Sequence, residues 1–168
     1  MSIELSPEGV ALKNNCGKLN RHVNNVVHRT KTMEFMYGGC PMNGEDSDDP
    51  YEVRNHRNIY LLDNMDGFQF GRDTDRFYNL PPDFHDNIYW SLVAGDEERG
   101  KFPDRLNWFE WQATGNDSNS LWQDPLFEDP DAHIYVLSED SPAWDLGIEQ
   151  VDLDTIGIQV YGKYVRNN

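Results

Sequence analysis

Asp63 and Asp66, set in Leu62-Asp63-Asn64-Met65-Asp66-Gly67, are the candidates for paired carboxylate chemistry, with Asp73 and Asp75 one strand later. Two carboxyl groups held apart can divide a reaction, one donating a proton while the other acts as base or nucleophile. Asp-Asn and Asp-Gly are also ordinary turn formers, so the same stretch reads as a plain bend. A second pair is His56 and His85, each two residues ahead of an asparagine. Stacked on neighbouring strands, two imidazoles could hold a metal ion or a proton. No cysteine lies beside them and the spacing is not that of a zinc site, so stacked corner histidines are the plainer reading. Glu45 to Asp49 form an acidic run that could attract calcium, but it lacks the spaced ligands of a dedicated loop. No metal or other cofactor is therefore expected. Trp108 and Trp111, with Trp122 and Trp144, offer flat faces for a ring-shaped ligand if they are exposed. Four of the five tryptophans fall after residue 101, which argues for packing instead. The chain shows no phosphate-cradling glycine loop, no Gly-x-Ser-x-Gly elbow and no Cys-His nucleophile context.

These residues must be positioned by a repeat. Asn25-Val26-Val27, Asn58-Ile59-Tyr60 and Asn87-Ile88-Tyr89 are separated by 33 and 29 residues, a solenoid-length period. Superposed on the asparagine, His56 falls on His85 and Arg57 on Asp86. Further along, Phe35-Met36-Tyr37-Gly38 falls on Phe68-Gln69-Phe70-Gly71. Short runs of Val, Ile, Phe, Tyr and Met bounded by Gly, Asn, Asp or Pro read as strands. A parallel β-helix explains the superposition, because equivalent residues of successive coils then stack about 4.8 Å apart. Asn25, Asn58 and Asn87 are expected at left-handed corners, hydrogen-bonding from coil to coil in an amide ladder. Val26, Ile59 and Ile88 are expected to form an inward column, Tyr60 and Tyr89 a second column, and Arg57 with Asp86 an ion pair on the outside.

Thirty acidic against fourteen basic residues leave a charge of −16, which repels phosphate backbones and anionic membrane surfaces. Nucleic acid is not an expected partner. No apolar run reaches membrane-spanning length, and Met1 to Pro7 lack the pattern of a secretory signal. No membrane insertion is expected, and an extracellular or cell-surface location would require a signal peptide on a longer parent. Cys16 and Cys40 are the only cysteines, compatible with one bridge or, as favoured here, two free thiols.

Three regions follow: residues 1–21 as an incomplete N-terminal coil or edge, 22–101 as about three coils, and 102–168 as a C-terminal cap with short helices. Leu106, Trp108, Phe109 and Trp111 are spaced for one helix face that Gly115 would end. A strand is expected near Ile134 to Leu137. Ser141-Pro142 opens a helical turn that Gly147 stops. Because the N-terminal edge lacks a recognisable cover, self-association through it is expected.

Trp111-Gln112-Ala113-Thr114-Gly115-Asn116-Asp117, then Asp124-Pro125-Leu126-Phe127, then Ser141-Pro142-Ala143 with Leu146-Gly147-Ile148, occur in that order. This set resembles the C-terminal end of right-handed parallel β-helix repeat proteins of pectate-lyase-like, carbohydrate-active type. Asp129-Pro130-Asp131-Ala132-His133 departs from the family's usual Pro-Asn-Gly-Asp turn. Such proteins carry many more coils, so the chain reads as a C-terminal portion or a minimal relative. The resemblance implies an all-β, right-handed parallel β-helix and a polysaccharide or oligosaccharide partner. It also implies glycoside hydrolase or polysaccharide lyase chemistry in the parent, with an active site mostly outside this chain. Hydrolases of this kind use two carboxyl groups about 5 to 9.5 Å apart, the role open to Asp63, Asp66 and Asp73. A noncatalytic surface-structural or glycan-binding β-helix module is the alternative.

Overall fold

A computed structural model describes residues 2–4, 10–14, 20–28, 33–37, 53–62, 68–70, 83–99, 102 and 105–150. The chain is β-rich, with parallel sheets and little helix. Its strands are β1 (Ser2–Glu4), β2 (Val10–Asn14), β3 (Asn20–Val23), β4 (Val26–His28), β5 (Met33–Tyr37), β6 (Val53–His56) and β7 (Ile59–Leu61), followed by β8 (Phe68–Phe70), β9 (Asp83–His85), β10 (Ile88–Trp90), β11 (Leu121–Trp122), β12 (Phe127–Asp129) and β13 (Ile134–Leu137). Among the described residues, β1-β4-β7-β10-β11, β2-β5-β8 and β3-β6-β9 form three sheets, all paired in parallel. Each sheet takes one strand from each repeat. The registers reproduce the sequence superposition: Val26 pairs with Ile59 and Ile59 with Ile88, while Phe35 pairs with Phe68.

The repeat does not stop at its third copy. Ile88 pairs with Leu121 and Tyr89 with Trp122, so Ser120-Leu121-Trp122 is a further rung, 33 residues after Asn87. Serine in place of asparagine and Leu-Trp in place of Ile-Tyr concealed it. The stretch expected to act as cap therefore also supplies a strand.

Two expectations, one about the corner and one about the columns, are corrected. The left-handed residue is the one before each ladder position: Asn24 (φ 56°), Arg57 (φ 56°), Asp86 (φ 54°) and Asn119 (φ 62°). Asn25, Asn58 and Asn87 themselves are not left-handed. One reversed residue makes the bend, and the next is then free to direct its N–H and side chain along the stack. Left-handed backbone costs a side-chain-bearing residue about 1–2 kcal/mol, against the 0.4–1 kcal/mol of extra unfolded-state freedom that glycine brings. Arg57→Gly is accordingly expected to raise the unfolding free energy by about 0.5–1 kcal/mol. A lower denaturation midpoint for the variant would count against that strain.

The second correction concerns the columns, which lie on opposite faces of the β4-β7-β10 sheet. Val27, Tyr60 and Tyr89 cluster with Phe84 of β9 and with Phe102, Trp108 and Trp111. The tyrosine face, and not the aliphatic one, thus looks toward the neighbouring β3-β6-β9 sheet. Tyr60 and Tyr89 stack with ring centroids 5.3 Å apart. Val26, Ile59 and Ile88 face the other way and are covered by Tyr135, Leu137, Ala143 and Ile148. Each such large side chain removed from water contributes about 1.5–3 kcal/mol.

The C-terminal stretch has two jobs. Helix α1 (Trp108–Ala113) starts in a reciprocal capping box between Asn107 and Glu110, and Gly115 beyond it is left-handed (φ 90°). It lays Trp108 and Trp111 over Tyr89 and Phe84, whereas Phe109, expected on the same face, is 58% exposed. The antiparallel hairpin β12-β13 and the turns after it instead form a strap across the aliphatic face. At its far end Asn24 and Glu149 exchange two hydrogen bonds, of 3.1 and 2.7 Å, and Tyr135 OH meets His28 Nδ1 at 3.0 Å. Ser141 to Gly147 runs as linked turns, with Ser141 Oγ donating to Pro125 O at 2.6 Å and accepting from Ala143 N. In the hairpin loop His133 takes the left-handed position (φ 64°). Gln150 closes the open side of β13, accepting from Leu137 N–H at 2.8 Å and donating to Tyr135 O at 3.0 Å as a neighbouring strand would.

Candidate functional site

The outward side of β3-β6-β9 is where described polar side chains line up in register. Burial alternates along these strands: Asn55 and Phe84 are buried, while Arg54, His56, Asp83 and His85 are partly or fully exposed. One outward column is Arg21, Arg54 and Asp83, and the next is Val23, His56 and His85, continued by Ser118. The corner residues Asn24, Arg57, Asp86 and Asn119 make a third. His56 and His85 stack 4.7 Å apart, as the repeat implied, because that is the spacing of adjacent strands. Asp86 Oδ2 lies 2.7 Å from His85 Nδ1, and Asp83 Oδ2 lies 3.8 Å from His85 Nε2. Arg57 donates from Nε to His56 Nδ1 at 3.4 Å. The ion pair expected between Arg57 and Asp86 is therefore not formed among the described residues, since each turns to the histidine beside it. Burial is the first cause that lowers the His56 imidazole from its ordinary range, followed by the neighbouring His85 and Arg57 side chains, partly offset by Asp83.

Behind this flank lies a buried polar spine. Asn25 N–H and Nδ2 donate to Asn58 Oδ1 at 3.0 and 2.9 Å. Asn58 N–H and Nδ2 donate in turn to Asn87 Oδ1 at 2.9 and 3.2 Å. At the next rung two residues share the acceptor role: Asn87 N–H donates to Ser120 Oγ at 2.8 Å and Asn87 Nδ2 to Asp117 Oδ1 at 3.0 Å. Asp117 is fully buried and also accepts from Ser120 Oγ (2.7 Å), Tyr89 OH (2.9 Å) and Trp111 Nε1 (2.6 Å). Burial pushes its carboxyl above the usual carboxylate range, against the opposing pull of hydrogen bonds from Asn87, Trp111, Ser120 and Tyr89. Asn55 occupies an analogous place one repeat earlier, its Oδ1 accepting from Tyr60 OH at 2.7 Å and Asn58 Nδ2 at 2.6 Å. This spine is structural: from Asn55 and Asn58 onward its members are enclosed, and their partners belong to the fold.

Asp63, Asp66, Asp73 and Asp75, the acidic run Glu45 to Asp49, and Cys16 and Cys40 lie outside the described residues. Trp108 and Trp111 are buried at 4% and 6% exposure, so their faces pack on the last rungs and present nothing to a sugar. Of the other tryptophans named with them, Trp144 is 40% exposed, and its Nε1–H is held by Ser138 O at 2.8 Å. The cleft between strap and sheet, bounded by Asn24, Tyr135, Ile148 and Gln150, measures about 10 Å³, room for roughly one water. Among the described residues no group of three or more His, Cys, Asp or Glu side chains could hold a metal ion. None of the described helices is long and apolar enough to cross a membrane. Sequence reasoning singled out His56 and His85 but missed Asp117; the Asn-Asp-Ser triplet around it reads as a surface turn. It also missed the column formed by Arg21 and Arg54, which the 33-residue separation of the two arginines could have revealed.

No protein-family model matches the chain, nor does any curated protein or solved structure.

Proposed function

We propose that the chain forms the terminal coils and C-terminal cap of a right-handed parallel β-helix of the carbohydrate-active kind. Its main role is to support a groove that holds a polysaccharide or oligosaccharide. The catalytic groups of a glycoside hydrolase or polysaccharide lyase would lie mostly outside it. The observation that carries this reading is the set of outward columns on β3-β6-β9, mounted on an in-register stack. A linear ligand laid across the rungs meets a polar side chain about every 4.8 Å. Support also comes from the asparagine ladder, from the tyrosine stack, and from helix α1 lying over the last rungs. At the opposite end β1, β2 and β3 are the outermost described strands of their sheets, edges on which an upstream coil or a second copy can pair.

A noncatalytic glycan-binding or surface module is the second reading. It is favoured by the placement of Asp83 and Asp86, which flank His85 at 3.8 and 2.7 Å instead of facing each other across an open gap. Both readings are tested by incubating the chain, and a form extended upstream, with a panel of plant and microbial polysaccharides. Reducing ends or unsaturated products released only by the extended form support the leading reading. Binding by both forms without product release supports the second. Absence of binding by either form overturns the carbohydrate assignment.

A further inference from the structure

The outer face of the strap is apolar where a solvated strand is ordinarily polar. Along β13, Tyr135 and Leu137 point into the cluster beneath, while Ile134 and Val136 face out, each 43% exposed. Leu126 and Trp144 adjoin the end of this row: the Ser138 N–H donates to Leu126 O at 3.0 Å, and Ser138 O accepts the indole N–H of Trp144 at 2.8 Å. Four of the seven large apolar side chains exposed among the described residues therefore fall on one element. Strand propensity accounts for an isoleucine and a valine, but not for the other two. Leu126 holds a left-handed conformation (φ 58°), where glycine or asparagine would cost less, and is still 38% exposed. Acidic side chains frame the row. Glu128, between the register partners of Leu137 and Ile134, is exposed, and so are Glu139, Asp140 and Asp145 beyond β13. Among the described residues none of these four joins an ion pair. The chain carries no lysine or arginine from Leu106 to Gln150, so the strap has no positive charge of its own to offset them.

We propose that this face docks a basic polypeptide segment, one whose apolar side chains cover Ile134, Val136 and Trp144 while its lysines or arginines meet the surrounding carboxylates. An apolar centre inside a charged rim is the anatomy of a protein interface, and here the rim has one sign. A second copy of the chain is disfavoured as the occupant, because a self-complementary contact would set like carboxylates against each other. Nucleic acid, anionic glycans and anionic bilayers are repelled by the same rim. The partner docks through side chains and does not add a strand, since Gln150 already occupies Leu137 N–H and Tyr135 O on the open side of β13. The strap covers the aliphatic face of the β4-β7-β10 sheet and not the β3-β6-β9 columns, so this docking is independent of the carbohydrate reading.

The test titrates two synthetic peptides of equal length and charge into the full chain by calorimetry at low and moderate salt, one alternating lysine with leucine and the other lysine with serine. The variants are Ile134→Thr with Val136→Thr, which keeps strand preference, Glu139→Gln with Asp140→Asn, and Phe109→Ser, an exposed apolar position on α1 away from the strap. The leucine peptide is expected to bind one to one, and to lose about tenfold or more in affinity in the threonine variant. The charge variant is expected to bind it about threefold less tightly, with a shallower salt dependence. Phe109→Ser is expected to bind it as the native chain does. Equal binding of the two peptides overturns the proposal, because charge alone would then suffice. No binding by the native chain, unchanged affinity in either strap variant, or an equal loss in Phe109→Ser overturns it as well. Sedimentation gives a second readout: concentration-dependent self-association abolished in the threonine variant would make a second copy the occupant and overturn the basic partner.

Discussion

Replacing Asp117 with alanine is expected to lower the unfolding free energy by about 3–5 kcal/mol, the largest loss at any single described position. Four donors converge on this buried carboxylate, and its removal strands them away from solvent: Asn87 Nδ2, Tyr89 OH, Trp111 Nε1 and Ser120 Oγ. The two hydroxyls can swing to other acceptors, but the indole and amide N–H groups are fixed by their rings and chain. Those two groups carry most of the cost. The loss also weakens the hold of the ladder on helix α1, because the short Trp111 bond goes and the 3.3 Å bond from Gln112 Nε2 to Ser120 O is left. Asp117→Asn keeps the shape and one oxygen but turns an NH2 toward a donor, so about 2 kcal/mol is expected. Equilibrium denaturant unfolding of the two variants checks this, and a cost below 1 kcal/mol for alanine would show that the hub is dispensable.

The pH dependence of the same pair tests the electrostatics. With its folded-state carboxyl raised above the ordinary 3.8, Asp117 contributes stability that is fully present below 3.8 and lost as pH rises through the folded value. The asparagine variant lacks that titration. The stability advantage of the native chain over Asp117→Asn is therefore expected to narrow as pH rises from about 4 toward neutrality. A gap that widened instead would mean the four hydrogen bonds outweigh desolvation.

Asn58→Ala is the second large loss, about 2–4 kcal/mol. Asn58 is fully buried and serves two neighbours at once: its Oδ1 accepts two bonds from Asn25, and its Nδ2 donates to Asn55 Oδ1, Asn87 Oδ1 and the carbonyl of His22. Alanine leaves the Asn25 N–H without its acceptor and opens a gap between stacked amides. Asn25→Ala, at the half-buried start of the described ladder, is expected to cost only about 1 kcal/mol. Amide hydrogen exchange at Asn25 gives an independent reading, with faster exchange expected in Asn58→Ala. Equal costs at the two positions, with unchanged protection of Asn25, would refute a ladder that runs through Asn58.

The spacing of Asn25, Asn58 and Asn87 determined the rung register, the ladder, the stacking of Tyr60 on Tyr89 and the pairing of His56 with His85. A residue type repeated at a fixed interval can only be satisfied by laying equivalent positions over one another, so period alone dictates these contacts. Period is silent on direction. Ile59 and Tyr60 are both apolar, and nothing in their order says which looks toward the next sheet and which waits for a cover. That was decided by the strap, through contacts such as Asn24 with Glu149 that join segments 125 residues apart and lie outside the repeat. Asp117 is a similar case: in sequence it belongs to a surface-like Asn-Asp-Ser turn, and only folding brings Trp111, Tyr89 and Asn87 around its carboxylate. The positive stripe of Arg21, Arg54 and Arg57 likewise vanishes into an acidic composition until β3 and β6 align. Local pattern fixes neighbours along the stack, whereas cover, burial of charge and the sign of a surface depend on segments that meet only in three dimensions.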